Sequence, residues 1–326
     1  MTADDAAIEG GALGSRSVFE RVSARESVTQ SLPYAAAQQQ VGSACLLAGA
    51  GLVVLRPSGG QLRARMIRPA ALDLETLDTV MARTGVTTVQ VEPAVRCTVW
   101  RRDGSARVLQ WVPGDDAGYA AQLEALGWSA AGPGAAHTST RVLDVAGGVP
   151  AAVAQMSAVA RRNVRKAAAA TGVRYASHRF DRIEPPLLAE IHDQYDRFVA
   201  RQPTLFDQWP FTAALVRGFA QRGWFVTAHR DDAVVGVVVL LLHDAIATYY
   251  AAFSVPEARA ERVPTGLVHH AMEVAVREGC DLFDLMGVWD PRYPERAASW
   301  RGFSEFKKRF GGELVALPPA FDITSA

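Results

Sequence analysis

Hydrophobic spacing predicts alternating helices and strands along the whole chain. In the first half, the pattern predicts helices over residues 31–41, 72–84 and 116–126, and strands over 45–55, 62–67, 87–91, 108–112 and 140–145. In the second half, it predicts helices over 150–170, 186–200, 211–221, 265–277 and 302–310. Strands are predicted there over 173–178, 224–229, 234–242, 245–253, 282–288 and 312–317.

The second half runs hairpin, long strand, helix, strand, helix, strand, which is the order of an acetyltransferase-type domain. The order of elements in the first half suggests a second copy, and 326 residues favour two domains over one. We therefore predict an α/β (α+β) fold with two tandem GNAT-like domains. The expected partition is a disordered N-terminus (1–28), a first domain (29–147), which residues 313–326 are candidates to complete, and a second domain (148–312).

Composition bounds the location and the chemistry. Hydrophobic residues make up 49% and charged residues 21% of the chain, and the longest apolar stretch, 233–242, is too short to span a bilayer. The N-terminus is acidic and resembles no signal peptide, which predicts a cytoplasmic protein, with the inner membrane surface as a candidate location. Three widely separated cysteines give neither a metal spacing nor a disulfide framework, so we predict no metal site.

A cluster of cations marks the predicted helix 150–170. Its residues Arg161, Arg162, Arg165 and Lys166 occupy adjoining parts of the helix surface, where like charges repel. Because the chain has a net charge of zero, the cluster is a local feature and not part of a general basic field. Either it binds a polyanion such as the tRNA backbone, or it is a solvated helix face.

The predicted helix 265–277 starts with few glycines. An acetyl-CoA enzyme needs free backbone amides there to hold a pyrophosphate. Only Gly266 is available in this loop, and Pro264 removes an amide donor. The pattern disfavours an acetyl-CoA enzyme, although Pro264 also suits a plain helix start.

The chain has only three lysines, and two of them, Lys307 and Lys308, lie in the predicted helix 302–310. Phe303, Phe306 and Phe310 share one face, which should be buried. Lys307 lies about 100° from Phe306 and can point toward a cleft, whereas Lys308, at about 200°, points outward. A cationic lysine in a cleft could stabilise an oxyanion. The alternative is an amphipathic helix with a basic outer face.

Together these segments resemble the Fem family of aminoacyl-tRNA-dependent transferases over residues 30–322. The matching strings are ARRNVRKAAAATGV (160–173), FDLMGV (283–288) and GFSEFKKRFGGELV (302–315), with HTSTRVLD (137–144) as a weaker match. The resemblance implies that Lys307 faces the reaction centre. It places the basic segment at Arg161, Asn163, Arg165 and Lys166.

On the acceptor side, the resemblance makes Arg201 a contact for phosphates. The first half has no lysine, so a cationic acceptor contact there would use an arginine such as Arg65 or Arg68. Tyr250, on the predicted long strand, is a further acceptor-side candidate. Asp284, at a strand end, is a candidate for positioning the amine.

The implied activity is aminoacyl transfer from aminoacyl-tRNA to an acceptor amine, with a peptidoglycan precursor peptide as the expected acceptor. An activated ester requires no ATP, metal or redox cofactor. The alternatives are the same chemistry on a specialised-metabolite amine, an acyl-CoA-dependent N-acetyltransferase, and a tRNA-binding module without activity.

Overall fold

The structure, a computed structural model, describes residues 17–48, 51–58, 60–201, 209–296 and 298–325. Its α-helices are α1 (Val18–Ser23), α2 (Leu32–Gln40), α3 (Leu74–Thr84), α4 (Asp116–Glu124), α5 (Gly148–Gln155), α6 (Ala158–Ala168), α7 (Pro185–Arg201), α8 (Trp209–Gly218), α9 (Val263–Arg277) and α10 (Arg301–Lys308). None of the helices in the described ranges combines the length and the apolar character needed to cross a bilayer.

Most strands belong to two large sheets. The first eight strands are β1 (Ala44–Ala48), β2 (Gly51–Ser58), β3 (Gln61–Ile67), β4 (Ala71–Asp73), β5 (Thr88–Glu92), β6 (Arg96–Trp100), β7 (Ala106–Gln110) and β8 (Ala130–Gly132). The other eight are β9 (Ser139–Asp144), β10 (Val173–Arg179), β11 (Gly223–Arg230), β12 (Ala233–His243), β13 (Ile246–Ser254), β14 (Leu282–Gly287), β15 (Glu313–Ala316) and β16 (Ala320–Thr324). The first sheet has the order β1-β2-β3-β5-β16-β8 and the second β10-β11-β12-β13-β14-β9-β15. Strands β4, β6 and β7 form a small third sheet.

The first sheet has one apolar and one polar face. Alternate residues such as Leu55, Met66 and Val89 are buried in a core with α3. Because successive strand residues point to opposite faces, the intervening positions, such as Arg56 and Arg63, lie on the other side. That polar face forms a wall of the cavity described below.

The second sheet is buried on both sides over its middle strands. Strand β12 reads as a nearly continuous apolar run and is buried from Val234 to Leu242, as expected of a strand covered on two faces. Helices α5, α6 and α9 share one core with residues of this sheet. Helices α2, α7 and α8 share the opposite core, which therefore joins the two halves of the chain. At the crossing of α2 and α8, a side chain on Gly218 would collide with the Pro33 carbonyl.

The parallel strands β13 and β14 separate before they end. Their pairing runs from Ile246 opposite Leu282 only as far as Thr248 opposite Asp284, although both strands continue. Just beyond this point, Met286 has a φ of 61° and the register with β9 is interrupted. The backbones diverge here, as an acetyltransferase-type fold predicts.

Several sequence-based assignments differ from the structure. Residues 1–16 lie outside the described residues, but residues 17–28, expected to be disordered, include α1 with a capping box from Ser17 and Glu20. Arg21 of α1 is only 4% exposed and forms ion pairs with Asp144 and, at 3.3 Å, with Asp281. These contacts link residues far apart in sequence, so local periodicity gave no sign of them.

The order of pairing also crosses the predicted domain partition. Strand β9, expected in the first domain, pairs with β14 and β15 in the second sheet. Residues 313–326 were candidates to complete the first domain: β16 does pair with β5 and β8 in the first sheet, whereas β15 pairs in the second. The predicted helix 150–170 is two helices, because Met156 is extended and Ser157 caps α6. Strands β4, β6, β8 and β16 were not predicted from the sequence.

Candidate functional site: the cavity between the two sheets

A cavity of about 900 Å³ lies between the polar face of the first sheet and strands β9, β13 and β14 of the second. From the second sheet, Thr140, Thr248, Tyr250, Asp284 and Met286 line it. Its charged lining consists of Arg25, Glu26, Arg56, Arg63, Arg65, Arg68, Asp284 and Asp322. With five arginines against three carboxylates, the cavity favours an anionic or polar ligand.

Three of these arginines, Arg56, Arg63 and Arg65, form what we call the arginine row. Arg56 lies directly opposite Arg63 across strands β2 and β3, and Arg65 is two residues further along the same face. Arg56 donates hydrogen bonds to neutral partners, Ser43 and Gln38. Arg65 lies 3.7 Å from a Glu92 carboxylate oxygen. Like charges opposed across a strand pair are destabilising unless an anion lies between them.

Arg68 lies in the wall between the arginine row and the second sheet. It is buried, has a φ of 59°, and donates through Nη2 to the His137 carbonyl. Burial lowers the pKa of its guanidinium to about 10, opposed by the nearby carboxylates of Glu92 and Asp284. Arg68 therefore remains charged at neutral pH, with one donor committed to the protein.

Asp284 lies where β13 and β14 diverge. Its Oδ1 accepts hydrogen bonds from the Thr140 hydroxyl and, at 2.7 Å, from the Met286 amide. Burial raises the pKa of this carboxyl, against those two hydrogen bonds and the positive charges of Lys307 and Arg68. Both recorded bonds end on Oδ1, and the side chain lines the cavity, so Oδ2 is the oxygen available to a ligand.

Lys307 lies behind the same strand end. It is 9% exposed, and its Nζ donates a 2.8 Å hydrogen bond to the Gly287 carbonyl and lies 4.9 Å from the centre of the Phe303 ring. Burial lowers the pKa of its ammonium to about 8, with Asp284 acting in the opposite direction. Lys308 is exposed and Lys307 is buried, as the positions of the two lysines around the helix predicted. However, Lys307 is more enclosed than the predicted position at the edge of a cleft would allow. It is not among the described residues that line the large cavity.

Two of the three predicted acceptor-side residues line the cavity, and the third is not among the described residues that line it. Arg68 and Tyr250 both line the cavity. Arg201 is the last residue of α7, is exposed, and does not line the described part of the cavity. Its predicted role therefore has no support from the position of the cavity.

The four predicted tRNA-binding residues have two environments. Arg162, Arg165 and Lys166 are exposed on α6. Arg161 is half-buried and donates to the carbonyls of Met156 and Ala154 at the end of α5. Arg161 thus satisfies carbonyl groups that the end of a helix leaves free.

The start of α9 offers few amides to an anion. Pro264 has no N–H, and the amide of Thr265 donates to the Arg262 carbonyl, as does that of Gly266. The glycine is required for packing, because a side chain on Gly266 would collide with the hydroxyl of Tyr175. The amides of Thr265 and Gly266 are therefore used within the protein and are not free to bind a pyrophosphate.

Sequence reasoning did not identify His137, Arg56 or Arg63 as site residues. His137 lines the cavity, and burial and the cations Arg68 and Lys307 hold its pKa well below the ordinary value, so it is neutral. Alternation along β2 and β3 could have paired Arg56 with Arg63, but the position of the second sheet opposite them is not a local property.

Comparisons with known proteins agree with the arrangement of strands and helices in this structure. A family model described as an acetyltransferase (GNAT) domain matches residues 154–308. No curated protein matches the sequence. The crystal structure of FemX is similar to this chain with a TM-score of 0.73 and 11% sequence identity, covering 95% of this chain and 96% of that one.

Two further structures are similar at lower scores. The C-terminal domain of a putative lysylphosphatidylglycerol synthetase from Agrobacterium fabrum has a TM-score of 0.56 at 14% identity, covering 91% of this chain and 88% of that one. The L-PGS structure from Bacillus licheniformis has a TM-score of 0.54 at 10% identity, covering 89% and 86%. The predicted tandem GNAT-like fold is confirmed: the chain resembles FemX over 95% of its length, and residues 154–308 match the GNAT-domain model.

Proposed function

We propose that this protein transfers an aminoacyl group from the ester of an aminoacyl-tRNA to an amine held in the cavity between the sheets. The acceptor nitrogen attacks the ester carbonyl carbon, a C–N bond forms, and the bond to the tRNA 3′-terminal oxygen breaks. The amine loses one proton and the leaving oxygen gains one, so the reaction is balanced without a redox partner. The observation that carries this proposal is the position of Asp284, which lines the cavity where β13 and β14 separate and lies within electrostatic reach of the enclosed Lys307, itself bonded to the Gly287 carbonyl of the same strand.

Asp284 is the residue we assign to the amine. Its Oδ1 is fixed by Thr140 and Met286, which leaves Oδ2 to accept a hydrogen bond from an ammonium or amine in the cavity. An acceptor amine must be positioned and must lose a proton, and a carboxylate with a raised pKa is better suited to take that proton than an ordinary one.

Lys307 is the residue we assign to the developing oxyanion. An ammonium has three N–H donors, and the Gly287 carbonyl uses one of them. Because Lys307 is enclosed, its charge is poorly screened by water and acts strongly on charge that develops nearby. The enclosure also means that binding of the ester must bring the carbonyl to the Gly287 side of the strand end.

The arginine row favours an anionic acceptor. Arg56 and Arg63 face each other without a recorded acidic partner among the described residues, so a phosphate or carboxylate placed between them would relieve their repulsion. A peptidoglycan precursor peptide, which carries an amine and anionic groups, fits these requirements. An anionic specialised metabolite with an amine fits the same chemistry, and the acceptor arms of the assay below distinguish the two.

The donor assignment rests on α6 and on the start of α9. Three exposed cations, Arg162, Arg165 and Lys166, suit a nucleic-acid backbone. The start of α9 has its amides occupied, which argues against a bound CoA pyrophosphate and hence against an acetyl-CoA enzyme.

A direct assay tests the proposal. The purified protein is incubated with a mixed pool of aminoacyl-tRNAs bearing radiolabelled amino acids, together with peptidoglycan precursors in one arm and an amine-containing small-metabolite fraction in the other. Transfer of label into a base-stable amide in either arm is the expected result. Stable binding of acetyl-CoA in the micromolar range, with label from acetyl-CoA and none from tRNA entering the product, would contradict it.

A further inference from the structure

Helix α9 carries two adjacent histidines and a glutamate whose ligating atoms converge outside the cavity. His270 Nδ1 lies 2.6 Å from one carboxylate oxygen of Glu273, and His269 Nδ1 lies 3.6 Å from the other. One ligating atom from each of the three residues falls within 4.8 Å of the others. We propose that His269, His270 and Glu273 form a binding site for a divalent transition metal, with zinc the best-suited ion.

The spacing is compatible with zinc. Bonds of about 2.0–2.1 Å in a tetrahedron separate neighbouring ligand atoms by about 3.4 Å. His270 Nδ1 lies 2.6 Å from Glu273 Oε2 and His269 Nδ1 lies 3.6 Å from Glu273 Oε1, so each imidazole already faces the carboxylate. The proposal requires the three side chains to turn until one atom of each reaches a shared ion, starting from a cluster within 4.8 Å. Two imidazoles and one carboxylate form a donor set suited to zinc, and all three side chains are partly exposed, so a fourth position is open to water.

Neighbouring groups hold the ligands and leave the carboxylate available. The ring of Tyr175 stacks on His270 with 4.5 Å between ring centres, which restricts the orientation of that imidazole. Arg277, one turn after Glu273, forms no ion pair with it: its guanidinium lies 4.8 Å from the centre of the Trp224 ring and contacts Glu278, and it acts on Glu273 only through its charge, which helps to lower the pKa of that carboxyl. Nothing in this arrangement depends on the transferase activity, because the cluster does not line the cavity.

Titration calorimetry with zinc chloride alone tests the site, on full-length, tag-free protein from which metals have been removed with a chelator. We expect one saturable site per chain, and we expect His270→Ala and Glu273→Gln each to weaken zinc binding about tenfold or more. Magnesium chloride at the same concentration should not compete, because magnesium prefers oxygen ligands. Zinc should also raise the melting temperature of the native chain by more than that of Glu273→Gln, which keeps the shape of the side chain.

His192 provides the matched control. It pairs with Asp196 at 3.5 Å on helix α7, also at a spacing of four residues, but the described part of the chain offers this pair no third ligand. His192→Ala should therefore leave zinc affinity unchanged. The proposal is overturned if the native protein shows no saturable zinc binding, or if Glu273→Gln and His270→Ala bind zinc as tightly as the native chain does.

Discussion

Helices α6 and α10 both carry adjacent cations, yet the fold places those cations in opposite environments. On α6, Arg162, Arg165 and Lys166 are exposed to water. On α10, Lys307 is enclosed and bonded to Gly287, while its neighbour Lys308 is exposed. A cation in water acts through a field that salt screens, whereas an enclosed cation acts on the few atoms within its reach. We therefore propose binding as the role of the exposed cations of α6 and catalysis as that of the enclosed Lys307.

The largest expected effect comes from removing the enclosed charge. Lys307→Met keeps most of the side-chain volume and removes the ammonium. If Lys307 stabilises the oxyanion, turnover in the aminoacyl-transfer assay should fall about 10²–10³-fold with tRNA affinity nearly unchanged. Lys307→Arg should recover little of it, because a planar guanidinium differs from a compact ammonium in shape and donor geometry.

Two measurements separate this effect from unfolding. Lys307→Met leaves the Gly287 carbonyl without its donor, which costs about 1–3 kcal/mol of folding free energy, so the melting temperature is recorded for each variant. Lys308→Met changes the same residue type one position along and should leave turnover near normal. Normal turnover of a folded Lys307→Met protein would show that the lysine is structural.

The next effect concerns the exposed cations of α6. A plot of log affinity for tRNA against log salt has a negative slope. Replacing Arg162, Arg165 and Lys166 with alanine should make this slope shallower by about 2–3, if each contacts one phosphate. Binding is measured by fluorescence anisotropy at several salt concentrations. Arg83 and Arg107 are exposed cations in the first half of the chain and serve as the control pair. Equal slopes for the native protein and the triple variant would mean that these three cations do not contact tRNA and that α6 presents only a solvated surface.

A third prediction concerns the pKa of the enclosed Lys307. The chain has only three lysines, so lysine labelled with ¹³C at Cε gives three signals, which variants at positions 166 and 308 assign. The Lys307 signal should titrate near pH 8, well below the ordinary lysine value of 10.5. A midpoint near 10.5 would mean that the ammonium is hydrated.

The same titration predicts the sign of a stability change. The folded-state pKa of Lys307 is about 8 and its ordinary value is 10.5, so between these pH values the folded chain binds fewer protons than the unfolded chain. The contribution of Lys307 to the free energy of unfolding should therefore rise with pH across this window, so that the protein becomes more stable. Its proposed role toward the oxyanion is lost over the same window, because the ammonium loses its proton. The difference between native protein and Lys307→Met in urea unfolding at each pH isolates this contribution.

The smallest effect distinguishes two neighbours on α6. Arg161→Ala removes hydrogen bonds to the Met156 and Ala154 carbonyls and should cost about 1 kcal/mol in urea unfolding. Arg162→Ala, one residue further and exposed, should change stability by less than about 0.5 kcal/mol. If both variants unfold at the same urea concentration, the contacts of Arg161 at the end of α5 contribute nothing measurable.

Much of the local structure could be read from the sequence. Most helices and strands of the second half, the cap at Ser31, and the outward direction of Lys308 follow from spacing of apolar residues and from capping chemistry, which act within a few positions. The order of these elements was sufficient to predict the tandem acetyltransferase fold. The pair His269 and Glu273, four apart on a helix, was also readable, although their convergence with His270 was overlooked.

Other features depended on residues distant in sequence. Strand β9 pairs in the second sheet and not in the first, because strand pairing is decided by which edges meet after the chain has folded back. The cavity places Arg56 and Arg63 of one sheet opposite Asp284 of the other, and no local pattern joins them. The sequence alone determined the elements and the direction of each helix face, since these depend on neighbours along the chain. Only the tertiary structure decided that Lys307 is enclosed against Gly287 and that Arg201 is not among the described residues lining the cavity, because burial depends on what packs from elsewhere.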